Sequence, residues 1–299
     1  MPIGKQAHTP CHKHPPLGII HRKSLANTRT KMMHYQLDVE LSPTLERFRT
    51  DIEATIKPAI ELIPEKNQSL TLWQSKLGGM PYLPKDRHYP CDNQGNLLYL
   101  LAQINWHEVP QLTDFPLKGI LQFYIAGGDT YGLDFDNPKQ QNGFRIVYFP
   151  EVEADETQLI TDFSFLPPPA ACPFGDISSG LQFKKVYLPV DPSAYEFEHT
   201  LGPKILAQLS EAEQEQVLEE YGEKLGAQGH KLGGYPYFTQ EDPRSLLADG
   251  HDYQLLLQID TDDNLGIMWG DAGVGHFFIK TADLRNLDFS QVLYNWDCL

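Results

Sequence analysis

Cysteine is scarce and scattered. Cys11, Cys91, Cys172 and Cys298 include no pair at C-x-x-C spacing, so they point to neither a zinc site nor a dense disulfide framework, and a reducing cytoplasm is the expected setting. Long apolar runs are missing too. The longest, near Leu97 to Ile104 and Leu255 to Ile259, are strand-sized, far short of the roughly 20 residues a membrane-spanning helix needs. This argues against an integral membrane protein. The familiar catalytic signatures are absent as well: no G-x-S-x-G elbow, no P-loop, no G-x-G-x-x-G after a strand and no H-E-x-x-H. The Gly- and Asp-rich stretch from Tyr124 to Asp136, with Asp271 and His276, has the groups for acid and base work but no diagnostic spacing. No catalytic residue, cofactor or metal is assigned, and an enzyme is the less favoured class.

Cations are in deficit. The chain has 24 Lys and Arg against 40 Asp and Glu, for a net charge of −16. Residues 1–33 reverse this balance, with six Lys or Arg, four His and no acid; removing those six charges from −16 leaves −22 on the rest. The segment has no apolar core of a secretory signal, and its Pro-rich pattern suits no amphipathic helix. The expectation is a start near Met32 or Met33, with 1–33 a disordered or non-native extension. An acidic body repels nucleic acid phosphates and anionic membranes and speeds encounter with a basic protein or peptide. The plainer reading is that the charge keeps the protein soluble.

What the sequence does contain is a repeat. Lys76-Leu77-Gly78-Gly79-Met80-Pro81-Tyr82 and Lys231-Leu232-Gly233-Gly234-Tyr235-Pro236-Tyr237 agree at six of seven positions at an offset of 155. Downstream, Gln103-Ile104 and Gln258-Ile259 keep that offset, and Gly119 to Ile125 matches Gly273 to Ile279 at 154. Two long copies indicate duplication within a compact pair, not a solenoid of many short repeats.

Ser42 followed by Pro43, with Leu45, Phe48, Ile52, Ile56 and Ile60 at near-helical spacing, predicts a helix over 43–62 with a kink at Pro58. Ser210-Glu211-Ala212-Glu213 reads as a capping box opening a second helix that ends by Gly222 or Gly226. Strands are predicted near 97–105, 119–125, 144–149, 253–260, 274–279 and 291–296, with a lone strand near 183–190. The expected fold is therefore α+β: a helix followed by several mainly antiparallel strands, twice, in a pseudo-two-fold arrangement. Residues 34–299 would form one domain of two repeats, about 43–165 and 200–299, joined by the Pro-rich loop around Leu166 to Pro169.

Trp73-Gln74-Ser75-Lys76-Leu77-Gly78-Gly79-x-Pro81-Tyr82-Leu83-Pro84, the Leu-Leu-x-Gln-Ile strands and Gly119-x-Leu121-Gln122-Phe123-Tyr124 resemble the YwqG-like family of bacterial proteins, over residues 34–299. That resemblance implies an internally duplicated α+β fold and supplies no catalytic residues. The Gly-Gly-x-Pro turn and following strand are more distantly similar to the programmed cell death protein 2 family, which is associated with chaperoning a ribosomal protein. The zinc-holding cysteines of that pattern are absent here.

The candidate ligand or partner-binding residues are Lys76, Gly78, Gly79, Pro81 and Gln103 in the first copy and Lys231, Gly233, Gly234, Pro236 and Gln258 in the second. Paired glycines permit positive φ, and a lysine beside freed N–H groups makes an anion-holding nest. The plainer alternative is a tight turn with a solvated or paired lysine. Gln103 and Gln258, in apolar strands, are expected to bond loop backbone in their own copy. Asp260 to Asp271 invites comparison with a calcium loop, but its glycine falls at the seventh position, not the sixth, and a polar strand connection is the better reading.

The leading functional reading is an acidic binding module, chaperone-like or toxin-immunity-like, that grips a basic protein or peptide. The alternative is a small-ligand binder or enzyme using the crevice between the repeats.

Overall fold

A computed structural model describes residues 20–22, 35–65, 69–168 and 171–299. The predicted extension over 1–33 lies outside them apart from one short strand, as does the last proline of the Pro-rich loop. Twelve strands and five α-helices are present among the described residues. β1 (Ile20–Arg22) and β2 (Tyr35–Leu37) pair alone. α1 (Pro43–Glu46) and α2 (Arg49–Ala54) follow, then β3 (Lys57–Glu65), β4 (Lys76–Gly78), β5 (Tyr99–Asn105), β6 (Ile120–Ile125), β7 (Phe144–Phe149) and β8 (Ser178–Leu188). Next come α3 (Gly202–Leu206), α4 (Glu211–Leu225), β9 (Lys231–Gly233), β10 (Tyr253–Asp260), β11 (Val274–Lys280), α5 (Thr281–Arg285) and β12 (Leu293–Asp297).

The expected α+β unit of helix followed by strands, repeated with a pseudo-two-fold, is wrong. Strands β3 to β12 form one ten-stranded sheet in the order β12-β11-β10-β9-β3-β8-β4-β5-β6-β7, with every pairing antiparallel. Only α4 is a helix of any length, 15 residues, while α1 and α2 span four and six. The predicted helix over 43–62 breaks for a physical reason. Leu45 and Ile52 do face a core, but Pro58 has no N–H to continue the helix, and the chain turns into β3 at Lys57. Ile56 and Ile60 sit four apart, a spacing that suits a helix face as well as alternate positions of a strand. Ile60 and Leu62 lie on the buried side of β3.

Other local signals behave as their chemistry dictates. Ser42 accepts from the Leu45 N–H, with Pro43 at the first helical position. Ser210 and Glu213 form the capping box of α4, which stops at Gly226.

The sheet curls until its two end strands approach one another through residues 126–143, the connection between β6 and β7. Pro138 O accepts from the Tyr294 N–H at 2.9 Å, Tyr131 O from the Tyr294 hydroxyl at 3.0 Å, and Thr130 O from the Trp296 indole at 2.7 Å. Inside, the Phe123 and Phe277 rings meet edge-on at 5.0 Å, and Phe277 stacks on Tyr294 at 4.8 Å. Such pairs add about 0.5–1.5 kcal/mol each beyond the area they bury. Phe123, Phe144, Phe277 and Tyr294 thus fill the seam where β6 faces β11. A second core forms where Leu45, Phe48 and Ile52 meet Phe197, Ile205, Val217 and Tyr221. The Tyr221 hydroxyl donates to Val190 O there, tying α4 to the chain just after β8.

β4 and β9, the two Lys-Leu-Gly strands, are three residues long and flank the central pair of β3 and β8. β3 pairs with β9, and β8 pairs with β4. β9 meets β3 only from Ala59 to Glu61, with a last bond from the Leu62 N–H to His230 O. Pro58 and Pro64 fall just beyond that contact at either end, where a missing N–H costs the ladder nothing.

Candidate functional site

The repeated loops are two clamps built alike. Gly78, Gly79, Gly233 and Gly234 have φ of 62°, 70°, 63° and 71°, the left-handed region that glycine enters without a steric penalty. A methyl on Gly79 would lie 2.5 Å from Ser178 Oγ, and one on Gly234 would lie 2.7 Å from Ala59 Cβ. The turns therefore need both the freedom and the bareness of glycine. Pro81 and Pro236 are buried at the exits of these turns.

Each glutamine holds its loop by three bonds. Gln103 Oε1 accepts from the Tyr82 N–H at 2.8 Å, and its amide donates to Leu72 O and Gln74 O. Gln258 Oε1 accepts from the Tyr237 N–H at 2.9 Å, and its amide donates to Ala227 O and Gly229 O. The partners correspond at the offset of 155. Gln122 adds bonds to Tyr82 O and Gln103 Oε1, and at the matching place beside the other loop His276 Nε2 meets Tyr237 O at 2.8 Å.

Both lysines point inward, each 2% exposed. Lys76 Nζ donates to Thr71 O at 2.7 Å and Met80 O at 3.0 Å; Lys231 Nζ donates to Ala227 O. Burial pulls the Lys76 amine down to about 8, partly opposed by the Glu108 charge. Burial takes Lys231 to about 7 against the charges of Asp260 and Asp191. These cations are spent on loop carbonyls. The clamps are also apart: three strand spacings separate β4 from β9, roughly 14 Å, so the ten candidate residues converge on no single site.

The groups that do face an opening were not singled out by sequence. Where β4 stops, a cleft of about 330 Å³ lies beside β8, lined by Glu65, Gln74, Ser75, Glu108, Gln182 and Phe183. Glu108 Oε2 accepts from the Ser75 N–H at 2.9 Å, and Glu65 accepts from the Gln182 amide. Neighbouring cations are already engaged: Lys185 Nζ donates to Gln111 O at 2.7 Å, and Lys184 stands 3.5 Å from Glu61. Among the described residues the charged side chains of the lining are Glu65 and Glu108, both acidic. A second opening of about 280 Å³, with Asp86, Arg87, His88 and Tyr148, mixes both signs of charge.

Elsewhere, ionisable groups serve the fold. Arg244, 1% exposed, bonds Asp242 at 2.6 Å, Glu196 at 2.8 Å and Tyr253 O at 3.1 Å. In the acidic turn, Asp260 accepts from the Gly229 and Thr261 N–H groups and Asp262 from that of Asn264. Among the described residues no group of three or more His, Cys, Asp or Glu is placed to hold a metal ion, and no helix is long and apolar enough to cross a membrane.

Two clamped loops thus sit in a curled antiparallel sheet, with an acidic cleft beside β8. The family follows from residues 75–298, which match the model of the domain of unknown function DUF1963, and the chain belongs to that family. No curated protein matches it.

Proposed function

We propose that this protein is an intracellular, cytoplasmic binding module for a basic protein or peptide. It binds neither nucleic acid nor membrane in this reading, and its YwqG-like resemblance is part of the same reading. The observation that carries it is the cleft beside β8, whose lining among the described residues presents Glu65 and Glu108 and no basic side chain, on a chain of net charge −16. Such a surface attracts Lys and Arg side chains and repels phosphates. Lys76 holds the loop that borders this cleft at Gln74 and Ser75.

The test is titration calorimetry with short defined peptides of matched length, cationic or anionic, at low and high salt. The cationic peptide is expected to bind, to weaken as salt screens the carboxylates, and to weaken again in Glu65→Gln/Glu108→Gln. Equal binding of the anionic peptide, or indifference to the double substitution, would overturn the reading.

A further inference from the structure

The ladder between β8 and its neighbours ends abruptly on one side. β4 meets β8 only from Ser178 to Gly180, with a last bond from the Leu181 N–H to Ser75 O, whereas β8 runs on to Leu188 against β3. The direction of the main chain there follows from register. The Leu62 N–H turns toward β9, so its cross-strand partner Phe183 turns its own N–H and C=O away from β3, and Lys185 does the same opposite Ile60. Among the described residues nothing bonds the main chain of Phe183 or Lys185 on that side.

β3 has a comparable stretch beyond the end of β9, and there the chain carries Pro64. Proline is a common way to blunt a sheet edge, because it offers no N–H to a pairing strand. At the corresponding step past its short neighbour, β8 carries Phe183, and the strand has no proline from Ser178 to Leu188. One free edge is closed and the other is left able to donate and accept. The open one borders the acidic cleft, with Glu108 at the Ser75 end and Glu65 across the strand.

We propose that the free edge of β8 through Phe183 and Lys185 is a docking strand, on which a basic, extended segment of the partner is added to the sheet with its cationic side chains toward Glu65 and Glu108. This rests on the binding reading above and specifies its mode. Strand addition takes affinity from main-chain bonds and specificity from side chains on alternate positions. An extended peptide of alternating lysine and valine meets both demands.

The experiment uses that peptide and the full chain, with two series of backbone N-methylation, on every lysine or on every valine. In an added strand only alternate N–H groups face β8. One series is expected to lose about tenfold or more in affinity and the other to keep most of it, since only one removes the N–H groups that face β8. Hydrogen exchange at the Phe183 and Lys185 amides is expected to slow on binding. Phe183→Pro, checked for folding by its thermal transition, is expected to weaken the parent peptide comparably; if it fails to fold, the methylated series still decides. Equal tolerance of both series, with unprotected Phe183 and Lys185 amides, overturns strand addition. If binding then still falls in Glu65→Gln/Glu108→Gln, the acidic-cleft reading stands without it; if no cationic peptide binds at all, both fall.

Discussion

Gly234 lays its bare α-carbon against Ala59 of β3, so closely that a methyl added there would come within 2.7 Å of the Ala59 Cβ. The two belong to β3 and to the turn after β9, and the contact sets how tightly the second clamp sits on the sheet. Gly234→Ala is expected to cost about 1–3 kcal/mol, combining left-handed backbone strain with the clash. Adding Ala59→Gly to the same chain removes the clash and leaves the strain, so it recovers part of the loss. Urea titration of the three variants checks this, and an unchanged midpoint for Gly234→Ala alone would remove the contact as a determinant of stability.

His276 makes the protein acid-sensitive in a way Gln122 does not. Its ring is buried, Nε2 bonds Tyr237 O, Nδ1 has no hydrogen-bond partner among the described residues, and burial lowers it to about 3 despite that bond. An unfolded histidine titrates near 6.5, so below that pH the unfolded chain takes up a proton the folded one refuses. The stability contributed by the neutral ring is present above 6.5 and is lost as pH falls toward 3, by up to about 1.4 kcal/mol per pH unit. His276→Gln is expected to flatten the fall in stability between about pH 6 and pH 4, with little change near neutrality. Denaturation midpoints across that range, variant against parent, settle the point; parallel curves would refute it.

Arg244 is the buried hub of a charge cluster with Asp242 and Glu196. Removing it strands the Asp242 carboxylate, which is 2% exposed, with its charge uncompensated. Arg244→Met is expected to destabilise by about 3–5 kcal/mol, and Lys to restore less than half, since a lysine cannot reproduce the fork that reaches Asp242, Glu196 and Tyr253 O together. Thermal melts report it, and a Met variant within about 1 kcal/mol of the parent would show the cluster to be dispensable.

Sequence carried a good deal of this at the level of single strands. The runs around Leu100 to Ile104, Ile120 to Ile125 and Leu255 to Ile259 are apolar on both faces because both faces are covered, and their positions could be read directly. The capping box of α4 was equally plain. What could not be read was which strand lies beside which: Ala59 pairs with Gly233, and nothing local in either stretch encodes the other. That single unknown turned the expected pair of helix-and-strand units into one sheet. The burial of the two lysines was illegible for a related reason. Lysine is usually exposed, and only the three-dimensional cage of Thr71, Met80 and Ala227 carbonyls reverses the rule. Glu65 and Glu108 lack any shared pattern, because the cleft they line exists only once β8 is inserted beside β4.

The exchange of neighbours at the centre of the sheet also constrains how the chain is made. β3 emerges early from the ribosome, yet one of its two sides stays bare until residues 231–233 have been synthesised. An apolar strand with prolines near the ends of its late-filled side is well suited to that wait, since other nascent chains find little there to pair with. For the same reason neither half of the polypeptide is expected to be a viable product by itself, and a stop codon placed between β8 and β9 should yield aggregates instead of a smaller folded protein.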